Sequence, residues 1–401
     1  MKPAPKLLSL LIFAAATHCL VDLVAGTLNP LWPRLQTHFR LTGWENAALF
    51  FVWQLTTSLS QFFFGLYGDR FHSRWLLWAG PLAAVVCLGS IGLTSSPLVL
   101  AGLLVAGGLG IAAYHPEAAA LAGSSAPEHR SRAMSVFIMG GFIGQAIGPI
   151  YSGAVVDHFG LVGLSWGVAG GLALCLVLIP LGRGNLAASS TPPRKPQSLG
   201  QLFHGRTQSL LLVLVIGSLR IIAAGGVPVM IGYLLAARQA DATQTGLVQS
   251  AFMLGIGLGG LTCATLLRAQ HERLILWLCP LLVAPVLVLI PALNGLTLAA
   301  VVCLSGLLLG VSLPVLISFG QQLMPGSPRI ASSITMGVSW GVGGGIVSII
   351  LAACQFVGRF DFAFHAFAVA TAASSILCIW LPVLPAVRTT VVPVEEPAMA
   401  A

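Results

Sequence analysis

Charged residues are scarce in this chain, which has 401 residues of which only 7% are Asp, Glu, Lys or Arg. A soluble globular protein carries about 25% charged residues, which it needs to cover its surface. Hydrophobic residues make up 57% of the chain, and the mean hydropathy is +0.93. This composition excludes a soluble enzyme and predicts a protein whose side chains mostly face lipid.

Other features are also missing. The eight cysteines form no CxxC pair and have no spacing typical of metal ligands, so we interpret them as inert packing residues and expect no metal or cofactor. The net charge is +8, but the basic residues form no cluster, which excludes a nucleic-acid partner. The sequence contains no P-loop motif, which excludes a pump with its own ATPase.

The chain does contain a series of long apolar runs. A helix needs about 20 apolar residues to cross the hydrocarbon core, and these runs are too long and continuous for barrel strands. The first run follows Lys2 and Lys6 as a signal peptide would, but it continues past His18 and Asp22, so we interpret it as an uncleaved helix. The sequence predicts an all-α polytopic membrane protein with spans near residues 7–31, 45–67, 75–94, 97–122, 133–156, 161–181, 208–236, 244–267, 274–293, 296–323, 330–357 and 362–384.

The longest polar interval, residues 182–206, separates six predicted spans from six others. It is rich in serine, proline and basic residues, as a solvated linker is. We therefore predict an N-terminal six-helix bundle at 1–181, a linker at 182–206, a C-terminal six-helix bundle at 207–384 and a tail at 385–401. In transporters built from two repeated halves, the substrate site lies between the halves near the middle of the bilayer.

Basic residues outside the spans gather on the side of the linker. The other side receives only Arg34, Arg40, Arg238 and Arg359. The positive-inside rule then places both termini in the cytoplasm, with the chain in a bacterial inner membrane. We expect a functional monomer whose partners are the lipid bilayer, protons and a small-molecule substrate.

The loop after the second predicted span carries a recognisable motif. Gly65, Asp69, Arg70 and Arg74 match the pattern G-x-x-x-D-R-x-x-x-R, which resembles the loop signature of the major facilitator superfamily. The resemblance implies a latch that closes the cytoplasmic side, and the alternative is an ordinary positive-inside loop. The corresponding segment of the second half, residues 259–268, lacks the aspartate.

The fifth predicted span is rich in glycine. Gly144, Gly148 and Pro149 belong to a Gly/Pro pattern that resembles the signature of antiporters in this superfamily. Proline removes a backbone hydrogen bond and can bend the helix, while small residues four apart allow a partner helix to approach closely. The resemblance favours export, and simple packing is the alternative.

Two carboxylates and two histidines lie well inside predicted spans, where an ionisable group is costly and is a functional candidate by default. His18 and Asp22 are four residues apart, so they share one face of a helix. His115 and Glu117 flank Pro116 late in the fourth span. We interpret these four residues as proton-coupling candidates, with a structural hydrogen-bonded pair and a simple ion pair at the membrane interface as the alternatives.

Arg220 is the basic residue deepest in a predicted span, the seventh. We expect it to meet the carboxylates of the N-terminal half across a central cavity or to hold an anionic substrate group; a structural ion pair is the alternative. Polar residues that we expect to line the cavity or bind substrate are Asn29, Gln54, Gln145 and Gln321.

Several of these features together resemble the fosmidomycin-resistance type of efflux protein. They are the His18 and Asp22 pair, the stretch from Gln54 to Asp69, the run Tyr114-His115-Pro116-Glu117, and Gln321-Gln322-Leu-Met-Pro325-Gly326. The resemblance implies a proton-driven exporter that works by alternating access between two six-helix bundles. Two hypotheses remain beside this one: a transporter of an organic-anion metabolite or metal chelate, and a membrane receptor that does not transport.

Overall fold

The computed structural model of the protein describes residues 5–71, 74–125, 130–183, 205–266, 271–324, 330–331 and 333–383. The described residues form helices and contain no strand. The α-helices run Pro5–Gly26, Trp32–His38, Gly43–Gln54, Ser60–Arg70, Leu76–Gly89, Pro97–Ser125, Arg130–Phe159, Trp166–Arg183, Thr207–Ala237, Ala242–Leu266, Glu272–Leu289, Gly295–Leu323, Ser339–Val357 and Asp361–Leu377.

With short 3-10 and π segments, these helices form 12 stretches long and apolar enough to cross a membrane, which confirms the predicted fold class. We number them spans 1 to 12. Their bounds are Leu8–His38, Gly43–Gly68, Leu76–Leu93, Pro97–Ser125, Ala133–Phe159, Leu161–Gly182, Thr207–Ala237, Ala242–Cys263, Glu272–Ala292, Gly295–Leu323, Ser333–Val357 and Asp361–Trp380.

Span 1 is longer than predicted. It continues beyond residue 31 through a 3-10 turn, Asn29–Leu31, into a second short helix, Trp32–His38. Pro30 and Pro33 each lie in the first turn of their segment, where a backbone N–H has no intrahelical partner to lose. The prolines therefore bend the chain without ending the span.

Spans 1 to 6 form the N-terminal half and spans 7 to 12 the C-terminal half. The end at which span 6 finishes and span 7 begins is called the linker end here, and the other is the opposite end. Residues 184–204 of the predicted linker and the tail from residue 384 lie outside the described residues. The predicted division of the chain at these segments stays a prediction.

The two halves meet along two pairs of spans. Span 2 packs on span 11, and span 5 packs on span 8. Gly43 lies against Gln355 at the opposite end, Gly344 lies against Gln54 in the middle, and Gly65 faces Ser333 near the linker end. Contacts therefore close the interface at both ends.

Spans 2 and 11 share a local irregularity where they touch. Each contains a π-helical segment, Leu55–Leu59 and Ser333–Val338, and the two segments contact each other. In each, a serine hydroxyl donates to the carbonyl five residues earlier: Ser60 to Leu55 O at 3.2 Å and Ser339 to Ile334 O at 3.1 Å. Because π segments are rare and often occur at functional sites, this contact is a notable feature of the interface.

Candidate functional site

A buried carboxylate in the N-terminal half lies between two imidazole rings. Asp22 of span 1 has Oδ2 3.4 Å from Nε2 of His18, one turn earlier, and Oδ1 3.2 Å from Nε2 of His115 on span 4. Gln145 of span 5 donates to Asp22 Oδ2 at 3.0 Å. Only 6% of Asp22 is exposed, so three spans converge on one enclosed carboxylate. We call His18, Asp22 and His115 the buried triad.

The other ring nitrogen of each histidine faces a backbone carbonyl. His18 Nδ1 lies 2.8 Å from Phe137 O on span 5, and His115 Nδ1 lies 2.8 Å from Ile111 O, one turn earlier in span 4. A carbonyl oxygen can only accept, so both Nδ1 atoms are assigned a hydrogen. The rings therefore gain or lose a proton at Nε2, and these two nitrogens point at the two oxygens of Asp22.

Span 5 forms one wall of the triad. The ring of Phe137 stacks on His18 with centroids 4.0 Å apart, and Gly141 lies directly against His18 and Asp22. Gly144 and Gly148 lie against the backbone of span 1 near Cys19 and Leu23. The glycines of the predicted signature thus let span 5 approach span 1 closely.

The helix Arg130–Phe159 runs unbroken through Pro149, and the predicted bend at this residue stays a prediction. Pro149 lies where spans 1, 5 and 8 meet, with Gly26 on one side and Gly246 on the other. The signature therefore belongs to close packing within the N-terminal half and across the interface.

A second buried contact fixes span 4 against span 1. Thr17 Oγ1 and Tyr114 Oη are 2.6 Å apart, and Tyr114 donates to Ala14 O at 3.0 Å. Tyr114 is fully buried, and it precedes His115 directly. This contact holds the start of the Tyr-His-Pro-Glu run beside the residues that precede His18 and Asp22.

The donor atoms of the triad lie within 4.8 Å of one another, close enough for one small cation to contact all three. No metal was expected from the spacing of the cysteines, and the members of the triad lie on two different helices. Two of the histidines nevertheless reach the same carboxylate, because the helices cross at this point.

Glu117 does not belong to the triad. Its carboxylate lies beside Gly68 of span 2. Gly65, one turn earlier, lies between Pro116 of span 4 and Ser333 of span 11. The predicted latch and Glu117 are therefore neighbours near the linker end, where the two halves touch. Arg74 is half-buried beyond the end of this helix, and the side chains of Asp69 and Arg70 lie outside the described residues.

The four polar residues predicted to bind substrate occupy different levels of the protein. Gln145 contacts the triad, and Gln54 is buried at the interface against Gly344. The backbone carbonyl of Asn29 faces Gly232 of span 7 near the opposite end, and Gln321 is exposed near the linker end of span 10. Of the four, Gln54 and Gln145 lie deepest.

The structure places Arg220 away from the carboxylates of the N-terminal half. Its guanidinium is fully buried within the C-terminal half. It donates to Leu276 O at 2.5 Å, Cys378 Sγ at 3.3 Å, Ser374 Oγ at 3.4 Å and Ser312 O at 3.5 Å. The expected ion pair across the interface is therefore absent from the described residues, and Arg220 ties span 7 to spans 9, 10 and 12.

The carbonyl of Leu276, which accepts the shortest of these bonds, lacks its usual backbone donor because of a proline. Leu276 O would normally accept from the N–H four residues later, but that residue is Pro280, which has none. The buried guanidinium supplies the missing donor. A proline four residues after the partner carbonyl is a sequence signal that could have indicated this role for Arg220.

One polar residue that the sequence analysis did not select bridges the two halves. Asp157, at the opposite end of span 5, accepts from the backbone N–H of Thr243 at 2.7 Å and of Ala242 at 3.2 Å, at the start of span 8. The candidates predicted from the sequence were ionisable residues well inside the spans, whereas Asp157 lies near a span end. Neither its type nor its spacing indicates a partner in the other half.

Comparison with solved structures defines the class of protein. The nucleoside transporter NupG matches with a TM-score of 0.70 at 14% sequence identity, over 94% of this chain and 99% of that chain. This likeness shows a shared fold, that of a polytopic helical membrane protein.

The family follows from the sequence. The family model described as Major Facilitator Superfamily matches residues 14–345, and the chain therefore belongs to that superfamily. Its members are transporters and not enzymes. Two curated relatives are the fosmidomycin resistance protein of Escherichia coli, 24% identical over 336 residues and 82% of each chain, and the multidrug resistance protein MdtG of Serratia proteamaculans, 26% identical over 309 residues, 73% of this chain and 74% of the relative.

Proposed function

We propose that this protein is a proton-coupled antiporter that exports a small molecule, a drug or a small organic anion, by alternating access. The observation that carries the proposal is the position of Asp22 between Nε2 of His18 and Nε2 of His115. Burying an ionisable cluster in a membrane span costs free energy, so such a cluster is a functional candidate by default. Proton transfer is a function that these three groups can perform.

The geometry of the triad favours one proton between Asp22 and each of the two histidine rings. With Nδ1 of each ring committed to a carbonyl, a neutral imidazole would turn the lone pair of Nε2 toward a lone pair of Asp22. A proton on each Nε2 converts this repulsion into an attraction between opposite charges. The arrangement therefore corresponds to a state that holds two protons among three groups.

Loss of these protons supplies a driving force for conformational change. Without them, Asp22 loses two favourable contacts and keeps the hydrogen bond from Gln145. The triad then no longer holds span 4 to span 1, while span 5 stays linked to Asp22 through Gln145. Protons can drive the cycle only if they bind the inward and outward forms with different affinity, and a change in the packing of spans 1, 4 and 5 around the triad would provide such a difference.

The proposed direction of transport and the proposed cargo rest on the names of the relatives and on the distribution of basic residues. The printed names of the two relatives refer to resistance to fosmidomycin and to multiple drugs, which favours export. The basic residues favour a cytoplasmic linker end, so export would run from the linker end to the opposite end. Gln54 and Gln145 are the best placed of the predicted substrate ligands, since both are deep in the protein. Arg220 would bind an anionic cargo only after leaving its carbonyl partners.

The test is transport in liposomes with an imposed pH gradient and a pH-sensitive dye. Phosphonates, lipophilic drugs and small organic anions would be screened for proton movement that depends on the compound. We expect a response in the wild type, its loss in Asp22→Asn, and its retention in Asp361→Asn. Asp361 is the matched control because it pairs with Arg359 at the opposite end of span 12, at 2.6 Å.

Three outcomes would contradict the proposal. Compound flux without proton movement would overturn antiport and indicate a uniporter or exchanger. Flux that runs only toward the linker end would overturn export and favour the alternative of an importer of an organic-anion metabolite or metal chelate. Binding of a compound without any flux would favour a receptor that kept the fold.

A further inference from the structure

Asp157 of span 5 caps the N-terminus of span 8, a role that is usually filled by the residue directly before the capped helix. Span 8 begins at Ala242, so the backbone N–H groups of its first turn have no intrahelical acceptor. Asp241, directly before the helix, accepts from Gln244 N at 2.6 Å, which satisfies the third of these groups. The first and second are left for another acceptor.

That acceptor comes from the other half of the protein. Asp157 accepts from Ala242 N at 3.2 Å, from Thr243 N at 2.7 Å and from the hydroxyl of Thr243 at 2.7 Å. A carboxylate at a helix N-terminus also interacts favourably with the helix dipole. Span 8 therefore has two carboxylate caps, one local and one supplied by the N-terminal half.

The backbones of spans 5 and 8 come together at the same place. A side chain on Gly153, one turn before Asp157, would collide with the backbone of Ala242, and one on Gly246 would collide with the backbone of Pro149. These glycines bring the start of span 8 close enough for a short aspartate side chain to reach it. The cap thus depends on the closed interface at this end.

Arg34 gives Asp157 a partner that does not cross the interface. Its Nη2 lies 2.5 Å from Asp157 Oδ1, and both residues belong to the N-terminal half. If the opposite end opens, Asp157 loses the N–H groups of span 8 but keeps the arginine. The carboxylate is then never left without a charged partner, which lowers the cost of opening.

We propose that Asp157 is the gate residue of the opposite end: it holds the two halves together by capping span 8, and transport requires that this cap be released and remade in each cycle. Neutral contacts cross the interface at the same end, between Gln36 and Gln355 and between Asn46 and Tyr233. Asp157 differs from them because it is charged and its partners are N–H groups at a helix N-terminus, which lose their protein acceptor when it leaves. The proposal deepens the alternating-access part of the proposed function and does not depend on proton coupling or on the cargo.

The test measures the width of the opposite end directly. Spin labels at Val162, 56% exposed at the start of span 6, and Leu296, 87% exposed at the start of span 10, report the distance between the halves. The full chain would be used, with its eight native cysteines replaced. We expect Asp157→Asn to raise the ratio of open to closed forms about fivefold to thirtyfold, the effect of losing a partly buried charge at a helix terminus. Asp157→Glu should restore part of the closed population.

Asp241→Asn is the matched control, since it removes a carboxylate charge from the same helix N-terminus and no contact between the halves. An unchanged distance distribution in Asp157→Asn would overturn the proposal, and so would an equal shift in Asp241→Asn, which would assign the effect to helix stability. Because the measurement uses no substrate and no pH gradient, its failure leaves the proton-coupling test unaffected. A gate role also predicts a lower kcat for transport in Asp157→Asn with little change in KM.

Discussion

Gly141 on span 5 lies directly against Asp22 on span 1: a Cβ atom at position 141 would stand 2.7 Å from Asp22 Oδ2 and 2.5 Å from His18 Cε1. No real side chain tolerates such distances without movement of its neighbours. The absence of a side chain at this one position is therefore a condition for the geometry of the buried triad.

We expect Gly141→Ala to abolish proton movement while most of the fold survives. The added methyl group must displace His18 or Asp22, and overpacking of this kind costs about 1–3 kcal/mol of stability. The measurement is dye-detected proton transport beside thermal unfolding in detergent. Gly170→Ala is the control, because a side chain there meets open space. Full proton coupling in Gly141→Ala would show that the triad geometry is not needed for transport.

The sequence predicted the twelve spans and, within the buried triad, the proximity of His18 to Asp22. Apolar length predicted the twelve spans, and the four-residue spacing predicted that His18 and Asp22 share a helix face. The spacing of His115 says nothing about Asp22, because their contact depends on how spans 1 and 4 cross. The resemblance grouped these residues as candidates, and the structure brings three of them together while Glu117 lies near the latch.

Arg220 and Asp157 show a different limit. Both have backbone groups as principal partners, which a sequence pattern indicates only indirectly, as Pro280 does for Leu276 O. An expectation based on charge paired Arg220 with distant carboxylates, whereas its acceptors include a carbonyl that a proline leaves free. For Asp157, the partner N–H groups are defined only by where span 8 begins.

The number of protons per cycle follows from the two histidines of the triad. If each imidazole holds one proton against Asp22, the wild type should move two protons per cycle, and His115→Gln should move one. Glutamine keeps a polar group of similar length but cannot carry a proton. The measurement is the membrane potential at which net flux stops, taken at several pH gradients. An unchanged ratio in His115→Gln would exclude this histidine as a proton carrier.

The buried pair of Thr17 and Tyr114 should stabilise the crossing of spans 1 and 4. Tyr114→Phe removes the bonds to Thr17 Oγ1 and Ala14 O, and loss of a buried hydrogen bond costs about 1 kcal/mol. A double-mutant cycle with Thr17→Val, read by unfolding in detergent, isolates the pair. A coupling energy of zero would mean that the two hydroxyls act independently, through their separate bonds to span 1 carbonyls.

Arg220 is expected to act on stability first and on cargo second. Arg220→Gln removes donors to three other spans and leaves Leu276 O with only the weak thiol donor of Cys378, so we expect a loss of about 1–3 kcal/mol and a clearly lower unfolding temperature. Arg220→Lys should recover only part of this, because an ammonium group cannot reproduce the planar fork. Arg206→Gln, at an exposed arginine of the linker end, is the control for loss of charge.

Transport kinetics decide between the two roles of Arg220. If the arginine ties the C-terminal half together, Arg220→Gln should lower the amount of folded protein while the folded fraction keeps the KM of the wild type. If it binds an anionic cargo, KM for anions should rise at least tenfold with the unfolding temperature unchanged, and neutral compounds should be unaffected. The second pattern would require that the guanidinium leave Leu276 O during the cycle, since in the closed form its donors are already occupied by carbonyl, hydroxyl and thiol groups of spans 9, 10 and 12.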